Sequence, residues 1–298
     1  RAISARINMS SADHNSPNPS YPKRGTPPLK LRGGWVGLLF LLIVFFWHTQ
    51  AVAPTSPPSL LQREGGGEFS IPTTTVIAVG DIMLSRSVGK VMREENDFHY
   101  PFLKIADRIR AADIAFGNLE GPISKRGTNQ GSKFSFRADP RVAPGLAFAG
   151  FDVLSLANNH IFDWGRDALL DTLNVLELQK IVPVGAGRNY GEANNPKLIE
   201  LENMRVAFLA YTTLAPGNWK ATAIASGISD VSLSKMKEQI VAARKDADIV
   251  VVSLHWGEEY KKSPTETQRI LAHALVDAGV DLVIGHHPHV VQEVEHYV

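Results

Sequence analysis

The chain has no cysteine in 298 residues. That excludes disulfides, iron–sulfur ligation, thiolate zinc sites and thiol nucleophiles at once, leaving imidazole, carboxylate and amide groups for any metal or catalytic chemistry. It also has little net charge: 31 basic residues stand against 30 acidic ones, for +1. A balance this even argues against a nucleic-acid partner. No internal repeat and no heptad pattern is present. Long apolar runs are scarce too, and the single one is near the amino terminus.

That run extends from Gly33 to Ala53 and contains Leu38-Leu39-Phe40-Leu41-Leu42-Ile43-Val44-Phe45-Phe46-Trp47. It is about the 20 residues a bilayer requires of a helix. Lys23, Arg24, Lys30 and Arg32 precede it, placing its amino side in the cytoplasm and the bulk of the chain outside. Ala51-Val52-Ala53 resembles a signal-peptidase site, but Pro54 directly after it obstructs cleavage, which favours an uncleaved anchor. Residues 1–32, rich in Ser, Pro, Asn and basic side chains, read as a disordered cytoplasmic tail. Residues 54–74, with Pro54-Thr55-Ser56-Pro57-Pro58 and Gly65-Gly66-Gly67, read as a linker. Residues 75–298 remain as one domain of ordinary size. The expected localisation is the cell membrane, crossed once, with this domain extracytoplasmic.

Within that domain short apolar, β-branched runs lack polar alternation, as in strands buried on both faces. Helical stretches intervene at Asp167 to Lys180, Ser232 to Lys245 and Thr265 to Ala278, and Pro196 to Tyr211 reads as a hairpin around Glu202-Asn203-Met204. The fold class is therefore α/β. The runs share one peculiarity: each stops in ligand-type residues. Thr74 to Val79 ends in Gly80-Asp81, Asp113 to Phe116 in Gly117-Asn118-Leu119-Glu120-Gly121, and Phe151 to Ala157 in Asn158-Asn159-His160. Ala247 to Leu254 ends in His255-Trp256-Gly257-Glu258-Glu259, and Val280 to Ile284 in Gly285-His286-His287-Pro288-His289. Ligands of open α/β sheets gather beyond the carboxyl ends of strands. Each ending alone is as well explained by a turn, a helix cap or a packed histidine. The His-Pro-His turn is the most specific of them, and together they read as one metal site.

These motifs, with Asp163-Trp164-Gly165, resemble the series found in the bacterial capsule-synthesis CapA family, the poly-γ-glutamate capsule group, whose domain is similar to the calcineurin-like metallophosphoesterases. The resemblance covers residues 75–298. It implies a four-layer α/β/β/α sandwich of the metallophosphoesterase type, with two divalent transition-metal ions at one end. Carried over by position, it makes Asp81, Glu120, Asn159, His255, His287 and His289 the metal ligands and His160 the group facing the substrate. Glu120 stands where the phosphoesterases have a bridging Asp, and Met83 where they have a further histidine. Members of the group usually continue past the position of Val298 into a Ser-Leu-Gly-Asn-Phe segment that closes the sheet, so a further strand is expected beyond residue 298.

Mixed nitrogen and oxygen ligands suit Mn, Fe, Zn or Co. His160 would serve as proton donor, with Asp163 close enough to orient it or, alternatively, capping the helix that follows. Arg86, Asn118 and Arg137, with Lys133, are candidates for binding an anionic substrate, although a surface cation is more often simply solvated. Two functions follow: a membrane-tethered metal-dependent hydrolase acting on a phosphoester or an anionic polymer, or a non-catalytic subunit holding polymer or other membrane subunits of a capsule synthase. A general secreted phosphoesterase is a third reading, by analogy of fold only.

Overall fold

The computed structural model describes residues 74–298, and the backbone of Ser4–Ile7 and Leu42–His48. In chain order the strands are β1 (Ser4–Ile7), β2 (Leu42–His48), β3 (Thr75–Ile82), β4 (Ile114–Leu119), β5 (Val153–Ser155), β6 (Val182–Val184), β7 (Ala186–Gly187), β8 (Lys197–Leu201), β9 (Met204–Thr212), β10 (Gly227–Ile228), β11 (Ile249–His255) and β12 (Leu282–His286). The helices are α1 (Arg86–Glu94), α2 (Ala106–Arg110), α3 (Ala143–Ala149), α4 (Gly165–Leu178), α5 (Tyr190–Asn194), α6 (Leu233–Asp246) and α7 (Glu266–Val276). The three expected helices and the hairpin are present, the last as β8 and β9.

One sheet has the order β1-β2-β3-β4-β5-β6, parallel from β3 onward; the other is β12-β11-β9-β8, parallel except for β8. Three apolar clusters order the layers. Between the sheets lie Ala78, Phe116, Val153 and Val184 from the first and Phe208, Ala210, Val251 and Ile284 from the second. There the Phe116 and Phe208 rings stack 5.4 Å apart, 9° from parallel. The outer face of the first sheet packs Val79 and Leu154 on Leu146, Leu169 and Leu173 of α3 and α4. The outer face of the second packs Leu209, Val252 and Leu254 on Met236, Ile240 and Leu275 of α6 and α7. Helices, sheet, sheet, helices: strands covered on both sides need no polar face, hence their unbroken apolar runs.

A repeated device pins the amino ends. Asp113, Asp152, Asp248 and Asp281 each immediately precede a strand or its first residue, and each carboxylate accepts the backbone N–H of a residue on the neighbouring strand. The donors are Thr75 (2.7 Å), Ala115 (2.7 Å), Arg205 (2.8 Å) and Val250 (2.8 Å). Each Asp N–H in turn donates to the carbonyl of that same residue. The reciprocal pair fixes the register at one end and leaves the carboxyl ends to carry chemistry.

The front of the chain departs from expectation. Leu42–His48 lies within the stretch expected to cross the membrane as a helix, yet it pairs antiparallel with β3 from Leu42 opposite Val79 to Phe46 opposite Thr75. β-branched and aromatic residues suit a pleated surface, and an open strand edge offers the partner. The remainder of 33–53, residues 54–73 of the expected linker, and the expected disordered tail apart from Ser4–Ile7 lie outside the described residues. Among the described residues no helix is long and apolar enough to cross a membrane.

Candidate metal centre

Asp81 is aimed by a bulge. The β3–β4 register runs Ala78 opposite Phe116 but Asp81 opposite Asn118, so β3 carries one extra residue, and the Asp81 carboxylate turns toward its neighbours. Its Oδ1 accepts from Asn118 Nδ2 at 2.8 Å. Its Oδ2 lies 2.9 Å from His289 Nδ1 and accepts the His287 backbone N–H at 3.1 Å. His286 Nδ1 approaches Oδ1 to 3.5 Å, and His255 Nδ1 to 3.8 Å. Burial opposes the Asp81 charge, but the His286 and His289 imidazoles outweigh it and hold the carboxyl well below its usual range.

Asn118 is wholly buried and fully engaged: its Oδ1 accepts from Asn158 Nδ2 at 3.2 Å, and its Nδ2 also reaches His255 Nδ1 at 3.2 Å. It therefore positions Asp81 and His255 and has no free face for a substrate. The far nitrogen of His255, Nε2, meets Asn159 Oδ1 at 2.8 Å. His255 is held neutral, its pKa pushed well below 6.5 by burial against the opposing pull of Asp81.

Glu120 is buried with its Oε1 lacking a hydrogen-bond partner, 3.7 Å from His289 Nε2. Burial and the charge of Asp81 push it up to about 8. His289 is raised to about 9, first by its hydrogen bond to Asp81, against burial. His287 moves down through burial and through His289. The turn carrying these two histidines is strained: His287 has φ 93° and His289 φ 55°, left-handed conformations that cost of order 1–3 kcal/mol each outside glycine. Asp81, Glu120 and His289 place ligand atoms within 4.8 Å of one another, and so do Glu259, His287 and His289.

A divalent ion fits this donor set. Glu120 Oε1, both ring nitrogens of His286 and Nδ1 of His287 are buried without a hydrogen-bond partner, although His286 Nδ1 and Glu120 Oε1 each have a charged neighbour at 3.5 and 3.7 Å. Such orphans cost about 1–3 kcal/mol each, and cations among them would satisfy several at once.

Beside the cluster His160 Nδ1 meets Asp163 Oδ2 at 2.8 Å. Asp163 is wholly buried and also accepts from Ser132 Oγ at 2.7 Å and the Phe136 N–H at 2.8 Å. Helix α4 starts at Gly165 with no side-chain cap, so of the two roles open to Asp163 it takes the orienting one. Because a carboxylate only accepts, the proton of a neutral His160 sits on Nδ1, and Nε2 is the free position.

The expected cations lie farther out. The Arg86 guanidinium covers the Phe134 and Phe136 rings at 5.5 and 5.8 Å, and Phe136 packs on His160 with ring centres 4.0 Å apart. Arg86 is thus one ring removed from the dyad. Arg137 lies 3.4 Å over Trp164 and donates to the Lys125 and Arg126 carbonyls, and Lys133 lies over Phe134. Two residues of the centre are absent from the expected ligand set. His286 was readable from alternation, since Ile284 and His286 share the inward face of β12, and Glu259 from its place beside the His255 motif.

The family model for bacterial capsule synthesis proteins of the PGA_cap type matches residues 75–298. The chain belongs to that family. It is 33% identical over 267 residues to the capsule biosynthesis protein CapA of Bacillus anthracis and 32% identical over 260 residues to the PGA biosynthesis protein CapA of Bacillus subtilis (strain 168), covering 86% of this chain in each case. It spans only 62% and 66% of the length of those two relatives. Among solved structures a phosphatase from Mycoplasma pneumoniae is 15% identical with a TM-score of 0.42, over 71% of this chain and 63% of that one. A hypothetical protein from Thermus thermophilus is 20% identical with a TM-score of 0.41, over 72% and 68%. Similarities this loose decide nothing about the chemistry of the PGA_cap centre.

Proposed function

We propose that this PGA_cap chain is a membrane-tethered, metal-dependent hydrolase of the metallophosphoesterase type that serves capsule polymer synthesis or export. The observation that carries the reading is Glu120: a buried carboxylate with an unpartnered oxygen, placed with Asp81 and His289 where one cation would serve all three. Asp81, Glu120, Asn159, His255, His287 and His289 would hold two ions of Mn, Fe, Zn or Co, with Glu259 beside the outer pair. Such ions supply Lewis acidity, acidifying water and offsetting charge on the oxygens that gain it.

The protein's own groups do the rest. His160, fixed by Asp163, offers Nε2 as the position that passes a proton to a leaving oxygen. Arg86 stands over Phe134 and Phe136 where an anionic group of the substrate would approach. The two CapA relatives are named for capsule and PGA biosynthesis, which makes an anionic polymer the favoured substrate and the other membrane subunits of a capsule synthase the favoured partners. Residues 33–53 would provide the tether: in lipid, where no neighbouring strand is on offer, Leu42–His48 must satisfy its backbone within its own segment, which a helix does.

The test is metal analysis of the purified full chain, followed by assay of the loaded protein against a generic phosphodiester and poly-γ-glutamate. One to two equivalents of transition metal with turnover of either supports the hydrolase. Bound metal without turnover leaves a polymer-holding subunit, and a protein that takes up no metal removes the proposal.

A further inference from the structure

Six residues other than glycine have a left-handed backbone among the described residues: Arg86, Asn96, Lys180, Tyr260, His287 and His289. Asn96 and Lys180 each lie two positions past the last residue of a helix, α1 and α4, where a single left-handed residue commonly ends the turn. The other four gather around the candidate centre. His287 and His289 belong to it, Arg86 stands one ring away from the His160–Asp163 dyad, and Tyr260 packs beside His289 with ring centres 6.1 Å apart. A left-handed backbone is costly under a side chain as bulky as tyrosine, and it persists only where the surroundings over-determine it.

Three hydrogen bonds fix the loop that carries Tyr260. Its own N–H donates to the Pro288 carbonyl at 2.7 Å, and Gln292 Nε2 donates to the carbonyls of Lys261 at 2.9 Å and Ser263 at 3.4 Å. Gln292 is held in turn, its Oε1 accepting at 3.2 Å from Nε2 of Gln268, a member of the capping box that opens α7. The same loop uses glycine at its other left-handed position, Gly257 with φ 85°, yet carries a tyrosine at φ 62°. Packing does not explain that choice, since Tyr260 is 70% exposed. The backbone thus bears strain in order to hold an exposed aromatic ring and its hydroxyl beside His289. We propose that Tyr260 contacts the substrate at the mouth of the centre, its ring bearing on the chain of an anionic polymer and its hydroxyl donating to a carboxylate oxygen that the metal ions do not hold. This rests on the function proposed above and names a contact that reading does not contain.

The test uses the full chain loaded with Co2+, comparing the wild type with Tyr260→Phe. Calorimetry measures the binding of inorganic phosphate, small enough to sit on the ions alone, and of poly-γ-glutamate, with cobalt content determined after each titration. Tyr260→Phe keeps the ring and the backbone and loses only the hydroxyl. It should bind the polymer about fivefold or more weakly, as expected for a lost hydrogen bond to a charged acceptor, while cobalt content and phosphate affinity stay the same. A residue that only shaped the loop would not split the two probes in this way. Unchanged polymer affinity in Tyr260→Phe overturns the inference, and so does an equal loss of affinity for phosphate and polymer. A cobalt-loaded wild type that binds phosphate but no polymer overturns it as well. Wild-type protein that takes up no cobalt instead removes the reading on which the inference rests.

Discussion

Asp81 Oδ2 and His289 Nδ1 meet at 2.9 Å, joining the tip of β3 in one sheet to the loop after β12 in the other. Each changes the other's proton affinity. Asp81 raises His289, His289 helps to lower Asp81, and the negative charge left on Asp81 adds to burial in raising Glu120.

Metal uptake should therefore release protons. In the metal-free site Glu120, at about 8, and His289, at about 9, both hold a proton at pH 7, whereas His255 is already neutral and Asp81 already ionised. Metal binds the deprotonated forms, so affinity should fall as pH drops below about 9 and rise toward it. Calorimetry in buffers of different ionisation heat should give close to two protons released per centre filled at pH 7. A value near zero would show that these two groups are not displaced.

His160→Ala should lower turnover by about 10²–10⁴-fold, the usual range for a lost acid–base group, while metal content stays the same. Asp163→Asn should also reduce turnover and should alter the pH–rate profile, because the carboxylate that fixes the His160 tautomer is gone. Steady-state rates beside metal analysis of the same samples separate this dyad from the ligands, whose loss removes metal first.

The strand pins should matter to stability and not to the site. Asp152→Ala leaves the Ala115 N–H without its side-chain acceptor, a loss of about 1–3 kcal/mol. Urea titration should show a lower midpoint, and metal affinity should be unchanged because the pins lie at the strand ends opposite the centre.

Much of this was legible in the residues. Runs such as Ala247 to Leu254, without polar alternation, disclosed strands covered on both faces, and the ligand-type residues after them disclosed at which sheet end the imidazoles and carboxylates gather. What stayed hidden depends on register. The bulge that aims Asp81 comes from one extra residue between Ala78 and Asp81, and Gly80 marks the place without giving the register. Asn118 looked like a substrate contact because its type and place fit one, but burial made it a bracket between Asp81 and His255. Arg137 looked free, and Trp164 with two carbonyls took its guanidinium. The segment at Leu42–His48 shows the limit of hydropathy: the same apolar residues satisfy a bilayer as a helix or an open sheet edge as a strand, and the surroundings decide.

The core and the centre should prove coupled through one ring. Phe116 stacks on Phe208 at 5.4 Å and also flanks His286 at 6.0 Å. Phe208→Ala opens a cavity between the sheets and should cost about 3–5 kcal/mol, with metal affinity little changed because the wall beside His286 remains. Phe116→Ala should cost a similar amount and in addition weaken metal binding, since the His286 ring, whose Nδ1 lies 3.5 Å from Asp81 Oδ1, loses its neighbour. Denaturant titration of both variants, paired with dialysis against Co2+, makes the comparison. Equal affinity loss in the two would mean that the effect travels through general loosening of the sandwich, and equal retention would mean that Phe116 does not brace the centre.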